Sequence, residues 1–252
     1  MPQKPFFSII IPSLNEEINL PILLKSLSIQ TNRDFEVIIN DSGSTDRTKE
    51  FVLQIQNTVP NLRFIEYKTK NVSQARNHGA SLAKSDWLIF FDADVEVEKD
   101  FIDGIQNHIK INSLDTLTVW NRPRTNNIKG IFTLALLNAS MTLFQKIKPA
   151  ANGPCIIMKK NLFESLKRFD DSIFFGEDFD IIQRAHKKGA RFAVFTTPIL
   201  YVSTRRFEKE GIITSFSKSI KALLYQLFLG PIRKPIFEYE MGGQYYKKTK
   251  KD

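Results

Sequence analysis

Trp87-Leu88-Ile89-Phe90-Phe91-Asp92-Ala93-Asp94 reads as an apolar strand that runs out into two carboxylates one residue apart. Five large apolar residues in succession suit a strand covered on both faces, as in a parallel sheet between layers of helices. The acids cannot follow that strand into a core alone, because burying an unpaired carboxylate costs several kcal/mol. They must be solvated, paired or bound to a cation. Hard oxygen donors favour Mg²⁺ or Mn²⁺, ions that take one or two protein carboxylates and fill their shell with water and phosphate oxygens. A bare D-x-D would read as a solvated acidic loop; the motifs around it decide otherwise.

Working outward, Phe6 to Ile11 forms a strand that stops at Pro12. Ser13-Leu14-Asn15-Glu16 has the S-x-x-E form of a capping box, ahead of a helix through Leu20, Leu23, Leu24 and Leu27. Phe35 to Ile39 is a second strand, ending at Asn40-Asp41 and the turn Ser42-Gly43-Ser44, with a helix from Asp46 to Asn57. Leu62 to Glu66 is a third strand, followed by a helix from Gln74 to Ala83 capped by Ser73. This alternation predicts an α/β fold, a Rossmann-like and mostly parallel sheet flanked by helices. Ligands of such sheets sit outside the carboxyl ends of the strands. Pro12 to Glu16, Asp41 and the Asp92/Asp94 pair should therefore line one crevice.

The second half is less regular. Thr116 to Trp120, Cys155 to Met158 and Arg191 to Phe195 read as strands. Ile131 to Phe144 is apolar on nearly every helical face and predicts a buried helix, with an acceptor-side or membrane-facing element as the alternative. Phe174-Phe175-Gly176-Glu177-Asp178 leads into a helix through Ile181, Ile182 and Ala185, stopped by Gly189. From Glu210 to Leu229, Ile213, Phe216, Ile220, Leu223, Leu224, Leu227 and Phe228 recur at helical spacing, with Arg205, Arg206, Lys209, Arg233 and Lys234 as flanking cations. Such a helix either packs on the domain or on a second subunit, or lies in an anionic membrane interface.

The 252 residues can bury one good core, and 42% apolar with 25% charged residues is ordinary for a globular protein. A net charge of +9 favours anionic partners: nucleotides, nucleic acid or an anionic leaflet. Nothing in the chain matches a nucleic-acid-binding module, so nucleic acid is not an expected partner. The single cysteine, Cys155, excludes an intramolecular disulfide and a cysteine-based zinc site. No basic-then-apolar leader and no apolar run of about 20 residues is present, so the expected location is cytoplasmic, with the inner face of the membrane as the second option.

Five segments in order carry a resemblance: Ile11-Pro12-Ser13-Leu14-Asn15-Glu16, Asn40-Asp41-Ser42-Gly43-Ser44-Thr45-Asp46, Ala75-Arg76-Asn77-His78-Gly79, Asp92-Ala93-Asp94 and Glu177-Asp178. Over roughly residues 6–200 the chain resembles family 2 glycosyltransferases with the GT-A fold. The resemblance implies a GT-A catalytic domain over 1–205, divided into a nucleotide-sugar-binding half (6–120) and an acceptor-side half (121–205), with a helical appendage and basic tail at 206–252. It implies that Pro12, Ser13, Glu16 and Asp41 hold the base and ribose of a nucleotide diphosphate sugar. Arg76 would face phosphate oxygens, and Asp94 with Asp92 would carry Mn²⁺ or Mg²⁺, Asp92 also reaching the ribose. Asp178 would be the general base that deprotonates a hydroxyl of a glycan or lipid-linked acceptor, with inversion at the anomeric carbon. Glu177 and Phe174-Phe175 beside it supply like charge and low polarity, both of which raise a carboxyl pKa.

Each residue also has a plainer reading: an Asx turn for Asp41, the capping box for Glu16, an ion pair with Asp41 or Asp92 for Arg76, and a helix-start acid for Asp178. The chain departs from the family at Leu14, where an aromatic is common, and at Ser42, in place of a frequent second Asp. No Q-x-x-R-W follows Asp178, which argues against a processive synthase. His78, His108 and His186 read as ordinary helix residues. A sugar-phosphate nucleotidyltransferase would want a Gly-rich basic loop after the first strand and a nicotinamide dehydrogenase a G-x-G-x-x-G; the chain has neither. A non-catalytic nucleotide-sugar-binding protein is the remaining alternative. The nucleotide, the sugar, the acceptor and the oligomeric state stay open.

Overall fold

Alternation along β1 (Phe7–Ser13) divides the core in two. Phe7, Ile9 and Ile11 join one buried cluster with Val37, Ile39, Ile89 and Phe91, while Ile10 joins a second with Ile38, Leu88 and Phe90. Helices must therefore cover both faces of the sheet, and they do. The computed structural model describes residues 4–151, 153–205, 211, 214, 217, 218, 221, 222, 225, 226 and 228–237.

In chain order the elements are β1, α1 (Leu20–Ser28), β2 (Phe35–Asp41), α2 (Thr48–Ile55), β3 (Leu62–Glu66), α3 (Val72–Ser81), β4 (Trp87–Phe91), β5 (Val95–Val97), α4 (Phe101–Asn112), β6 (Thr116–Pro123), α5 (Ile128–Phe144), β7 (Cys155–Lys159), α6 (Lys160–Ser165), α7 (Glu177–Lys187) and β8 (Phe192–Val202). One sheet carries the strand order β3-β2-β1-β4-β7-β6-β8-β5. β1 to β4 are mutually parallel, β7 runs against both β4 and β6, β8 is parallel to β6, and β5 closes the edge antiparallel to β8. The α/β sandwich expected from the strand–helix rhythm is what forms.

Several local expectations needed revision. β1 does not stop at Pro12: Pro12 pairs with Asn40 and Ser13 with Asp41. The missing N–H is tolerated because the ladder between β1 and β4 has already ended at Ile10 and Phe90. No capping box forms at Ser13 and Glu16; α1 begins only at Leu20, and Glu16 is recruited elsewhere. The cap of α3 is Asn71, whose side chain accepts from the Gln74 N–H, and not Ser73, which is buried in the first turn. α4, α6 and the short β5 had no clear sequence signature.

The largest correction concerns α5. It is a helix, as its composition predicts, but it is not buried. Among its described residues only Gly130, Leu134, Asn138 and Met141 are buried, while Phe132 is 72% and Leu143 73% exposed. Of the C-terminal helix proposed from sequence, Ile213, Phe216, Ile220, Leu223, Leu224 and Leu227 lie outside the described residues. Among the described residues no helix is long and apolar enough to cross a membrane.

Gly79 fixes how closely α3 approaches the sheet. A Cβ on Gly79 would stand 2.7 Å from Ile10 Cγ2, so the absence of a side chain lets α3 settle directly onto β1. Gly153, before β7, belongs to the crevice described next.

Candidate active site

Parallel register brings the strand ends level. Ser13 lies opposite Asp41, and Asp41 opposite Glu66, so the loops after β1 and β2 emerge side by side. They are tied together. The Asn15 N–H donates to Ser44 Oγ (2.8 Å), the Thr45 N–H to Asn15 Oδ1 (2.8 Å), the Glu16 N–H to Thr48 Oγ1 (2.9 Å) and the Glu17 N–H to Asp46 Oδ2 (3.2 Å). Asn15 adopts φ 55°, a left-handed conformation that asparagine tolerates better than most residues. Asp41 shows the Asx geometry: Oδ1 accepts from the Gly43 and Ser44 N–H groups, and Oδ2 from Ser44 Oγ. Its carboxylate is 2% exposed and organises the turn.

Arg76 is the buried hub. Carried by α3 and 1% exposed, it donates from Nη2 to Asp92 Oδ1 (2.7 Å) and from Nη1 to Glu177 Oε1 (2.8 Å). It also reaches the Gly153 carbonyl at 3.3 Å and stands over the Phe169 ring. Burial disfavours its charge, but Asp92, Glu177 and Asp178 outweigh that and hold the guanidinium well above its ordinary range. Of the two ion pairs considered from sequence, Asp92 is correct and Asp41 is not; Glu177 is the partner that sequence reasoning missed. Arg76 Nε is buried with no hydrogen-bond partner among the described residues.

Asp178 opens α7 behind Gly176, which has φ 82°. Its Oδ1 accepts from the Phe179 N–H at 2.8 Å. Burial first and the Glu177 charge second push its carboxyl up to about 7, against the opposing pull of that N–H and of Arg76. A Cβ on Gly153 would lie 3.2 Å from Asp178 Oδ2, 3.8 Å from Asp92 Oδ2 and 3.9 Å from Arg76 Nη2. Those three groups therefore surround one point, although 16 and 101 residues separate Arg76 from Asp92 and Glu177.

Asp94 sits beside a second guanidinium. Arg205, just beyond β8, donates to both carboxylate oxygens of Glu16 (3.0 and 2.8 Å) and approaches Asp94 Oδ2 at 3.2 Å through Nε. Glu16, 4% exposed, also accepts from Asn19 Nδ2 at 3.1 Å. Burial pushes the Asp94 carboxyl up to about 6; Arg205 and Arg124 pull it down, and Asp92 and Glu16 push it up. The sequence placed Arg205 with the cations flanking the C-terminal helix. It belongs to the crevice instead, and its 189-residue separation from Glu16 left no local signal to reveal this.

The structure thus gathers Ser13, Glu16, Asp41, Arg76, Asp92, Asp94 and Asp178 at the carboxyl ends of the parallel strands, with Pro12 inside β1 at the same edge. His78 stands apart as a helix residue, stacked on Tyr67 at 3.7 Å between ring centroids and hydrogen-bonded through Nδ1 to Asn40. His108 stacks likewise on Phe195 at 3.7 Å.

The chain is similar in sequence or in fold to several known proteins. A PGL/p-HBAD biosynthesis glycosyltransferase of Mycobacterium bovis is 45% identical over 95 residues, covering 36% of each chain. The crystal structure of Staphylococcus aureus TarS 1-349 in complex with UDP-GlcNAc superposes with TM-score 0.64 at 21% identity, covering 79% of this chain and 58% of that one. A Pyrobaculum calidifontis mannosyltransferase in complex with GDP-Man and Mn²⁺ gives TM-score 0.67 at 19% identity, covering 87% and 65%. The chain thus spans about a third of the mycobacterial relative and under two thirds of either solved structure. The sequence profile of Glycosyl transferase family 2 matches residues 8–165, well over half of the chain, and the protein belongs to that family.

Proposed function

We propose that the protein is an inverting glycosyltransferase that moves a sugar from a nucleoside diphosphate to an acceptor hydroxyl, on a glycan or a lipid-linked glycan. The observation that carries the reading is Asp178, a carboxyl pushed up to about 7 beside Asp92 at the mouth of the sheet. A general base works best when its pKa lies near the operating pH. Asp178 takes the proton of the acceptor hydroxyl as the oxygen attacks the anomeric carbon from the face opposite the diphosphate, which inverts configuration. The Phe179 N–H fixes the carboxylate's orientation.

The knitted loops around Pro12, Ser13, Glu16 and Asp41 form the platform for base and ribose, with Asp92 also within that region. Support for a nucleotide-sugar donor comes from the fold relatives solved with UDP-GlcNAc and with GDP-Man. Arg76 acts as the internal counter-ion that holds Asp92 and Glu177 in place.

Asp92 and Asp94 fit a divalent cation. Asp94 lies one residue from Asp92, and burial foremost, with Asp92 and Glu16 adding like charge, pushes its carboxyl up to about 6 against the pull of Arg205 and Arg124. No group of three or more His, Cys, Asp or Glu side chains among the described residues is arranged to hold a metal, so Mn²⁺ or Mg²⁺ there would take much of its shell from diphosphate and water. Such an ion, when bound, neutralises charge on the departing diphosphate.

The test is Asp178→Asn, which keeps shape and removes the base. Turnover should fall by about 10²–10⁴-fold with donor affinity nearly retained. Turnover at the wild-type level would show that the base lies elsewhere. Acceptor-free hydrolysis of UDP and GDP sugars identifies the donor.

A further inference from the structure

α5 presents to solvent what a helix ordinarily hides. From Gly130 to Gln145 it carries no charged residue. Ile128, Phe132, Leu136 and Leu143 are 81%, 72%, 51% and 73% exposed, and Ile147, just past its end, 78%. At about 100° per residue these five fall within a stripe roughly 100° wide. The opposite side is fastened to β6: Asn138 exchanges hydrogen bonds with the Asn121 backbone (3.0 and 2.8 Å), and Trp120 Nε1 donates to Thr142 at 2.9 Å. The helix is therefore anchored with its apolar stripe outward. An exposed patch of this kind marks an interaction surface.

Charge identifies the occupant. Between Asp115 and Glu164 the chain has no acidic residue and seven cations. Lys159 pairs with Asp115, Lys160 donates to the Ala83 carbonyl and Arg124 to Asn19. That leaves Lys146 and Lys148 just past the end of α5, and Arg122 and Lys129 near its start in the sequence. A second copy of the same segment would bring cations without acids to meet them. An anionic lipid surface complements both the charge and the stripe. We propose that α5 lies in the interface of an anionic leaflet, with Phe132, Leu136 and Leu143 inserted among the acyl chains and Lys146 and Lys148 among the headgroups. This places a membrane contact on the domain that carries the sheet, in addition to the one expected from the C-terminal segment. α5 leads through Pro149, whose carbonyl accepts from Gln183 Nε2 of α7, to Gly153 beside Asp178. On the transferase reading, and only there, this brings the base close to a lipid-linked acceptor.

The experiment uses the full chain and mixed phosphatidylcholine–phosphatidylglycerol vesicles, with pure phosphatidylcholine as control. Co-sedimentation should require the anionic lipid and weaken at high salt. Phe132→Ser with Leu136→Ser should lower partitioning by at least about tenfold, since each buried large side chain contributes that order. Lys146→Gln with Lys148→Gln should lower it by roughly tenfold or more. A dye on Phe132→Cys should shift to the blue only with anionic vesicles; the sole native cysteine, Cys155, is fully buried and its thiol pushed up by burial, so labelling is selective. Unchanged binding by the Phe132/Leu136 variant overturns the proposal. So does a concentration-dependent dimer that the same variant abolishes while vesicles are ignored. Acceptor-free donor hydrolysis should be equal in wild type and variant. Its absence from both, with α5-dependent vesicle binding intact, would sink the transferase reading and uphold the surface.

Discussion

Asp178→Asn should stabilise the free protein while disabling it, and the size of the gain follows from the carboxyl's surroundings. In the fold the Asp178 carboxyl is pushed from 3.8 to about 7 by burial and by Glu177. The folded chain therefore holds a proton that the unfolded chain releases. Such a group gives its full contribution below the unfolded value, near pH 4, and loses it as pH rises to the folded value, near pH 7. A shift of roughly three units corresponds to a ceiling of about 4 kcal/mol. Partial solvent access and relaxation around Arg76 bring the expected figure to the order of 2 kcal/mol. Asparagine removes the titration, and its amide oxygen can still accept from the Phe179 N–H. At pH 8, with chelator and without donor, the variant should melt about 4–8 °C above wild type. By pH 5 the gap should shrink by more than half, because most of the wild-type penalty accrues between the two pKa values. Thermal unfolding followed by circular dichroism at pH 5, 6, 7 and 8 reads both quantities. A variant no more stable than wild type at pH 8, or a gap independent of pH, would refute the account of a carboxyl strained by burial and like charge.

The other predictions concern the charges around it. Asp94→Ala should abolish the Mn²⁺-dependent part of UDP or GDP binding in calorimetry while the far-ultraviolet spectrum stays native; unchanged Mn²⁺ dependence would remove Asp94 from the metal site. Arg76→Met should destabilise by about 3–5 kcal/mol, since it strands Asp92 and Glu177 without their shared cation. That is a fall in melting temperature of about 10 °C or more, and a change under 2 °C would mean the hub is dispensable. Gly79→Ala should cost about 1–3 kcal/mol by urea unfolding, because its Cβ would meet Ile10 at 2.7 Å, and a neutral effect would mean α3 can slide freely on β1.

What sequence made legible was set by local physics. β3 and β4 were readable to the residue, because a short apolar run bounded by turn residues has few alternatives. The convergence of Pro12 to Glu16, Asp41 and the Asp92/Asp94 pair followed from a topological rule about strand ends, which holds without knowledge of any side-chain contact. Asp178, at the start of a helix, was reached only through the family resemblance. Failures came where distant chain segments compete for the same group. Ser13 and Glu16 have the spacing of a cap, yet the guanidinium of Arg205 offers Glu16 two charge-assisted bonds, more than a helix terminus could. α5 failed for another reason. All-round apolarity implies burial only if the interior has room, and β6 accepts just one side of that helix.

The loops after β1 and β2 carry a consequence for timing. Asn15, Ser44, Thr45, Asp46 and Thr48 lock them to each other by hydrogen bonds within the chain itself, so their ordering entropy is spent when the chain folds. On the proposed function, a nucleotide would meet a finished surface and need not wait for one to assemble. On that reading, association should be limited by encounter at the nucleotide end of the site, and a slow closing step would fall to the sugar or acceptor side. The two ends of one substrate would then report on different clocks: rapid, reversible docking of the nucleoside, followed by the slower commitment of the sugar.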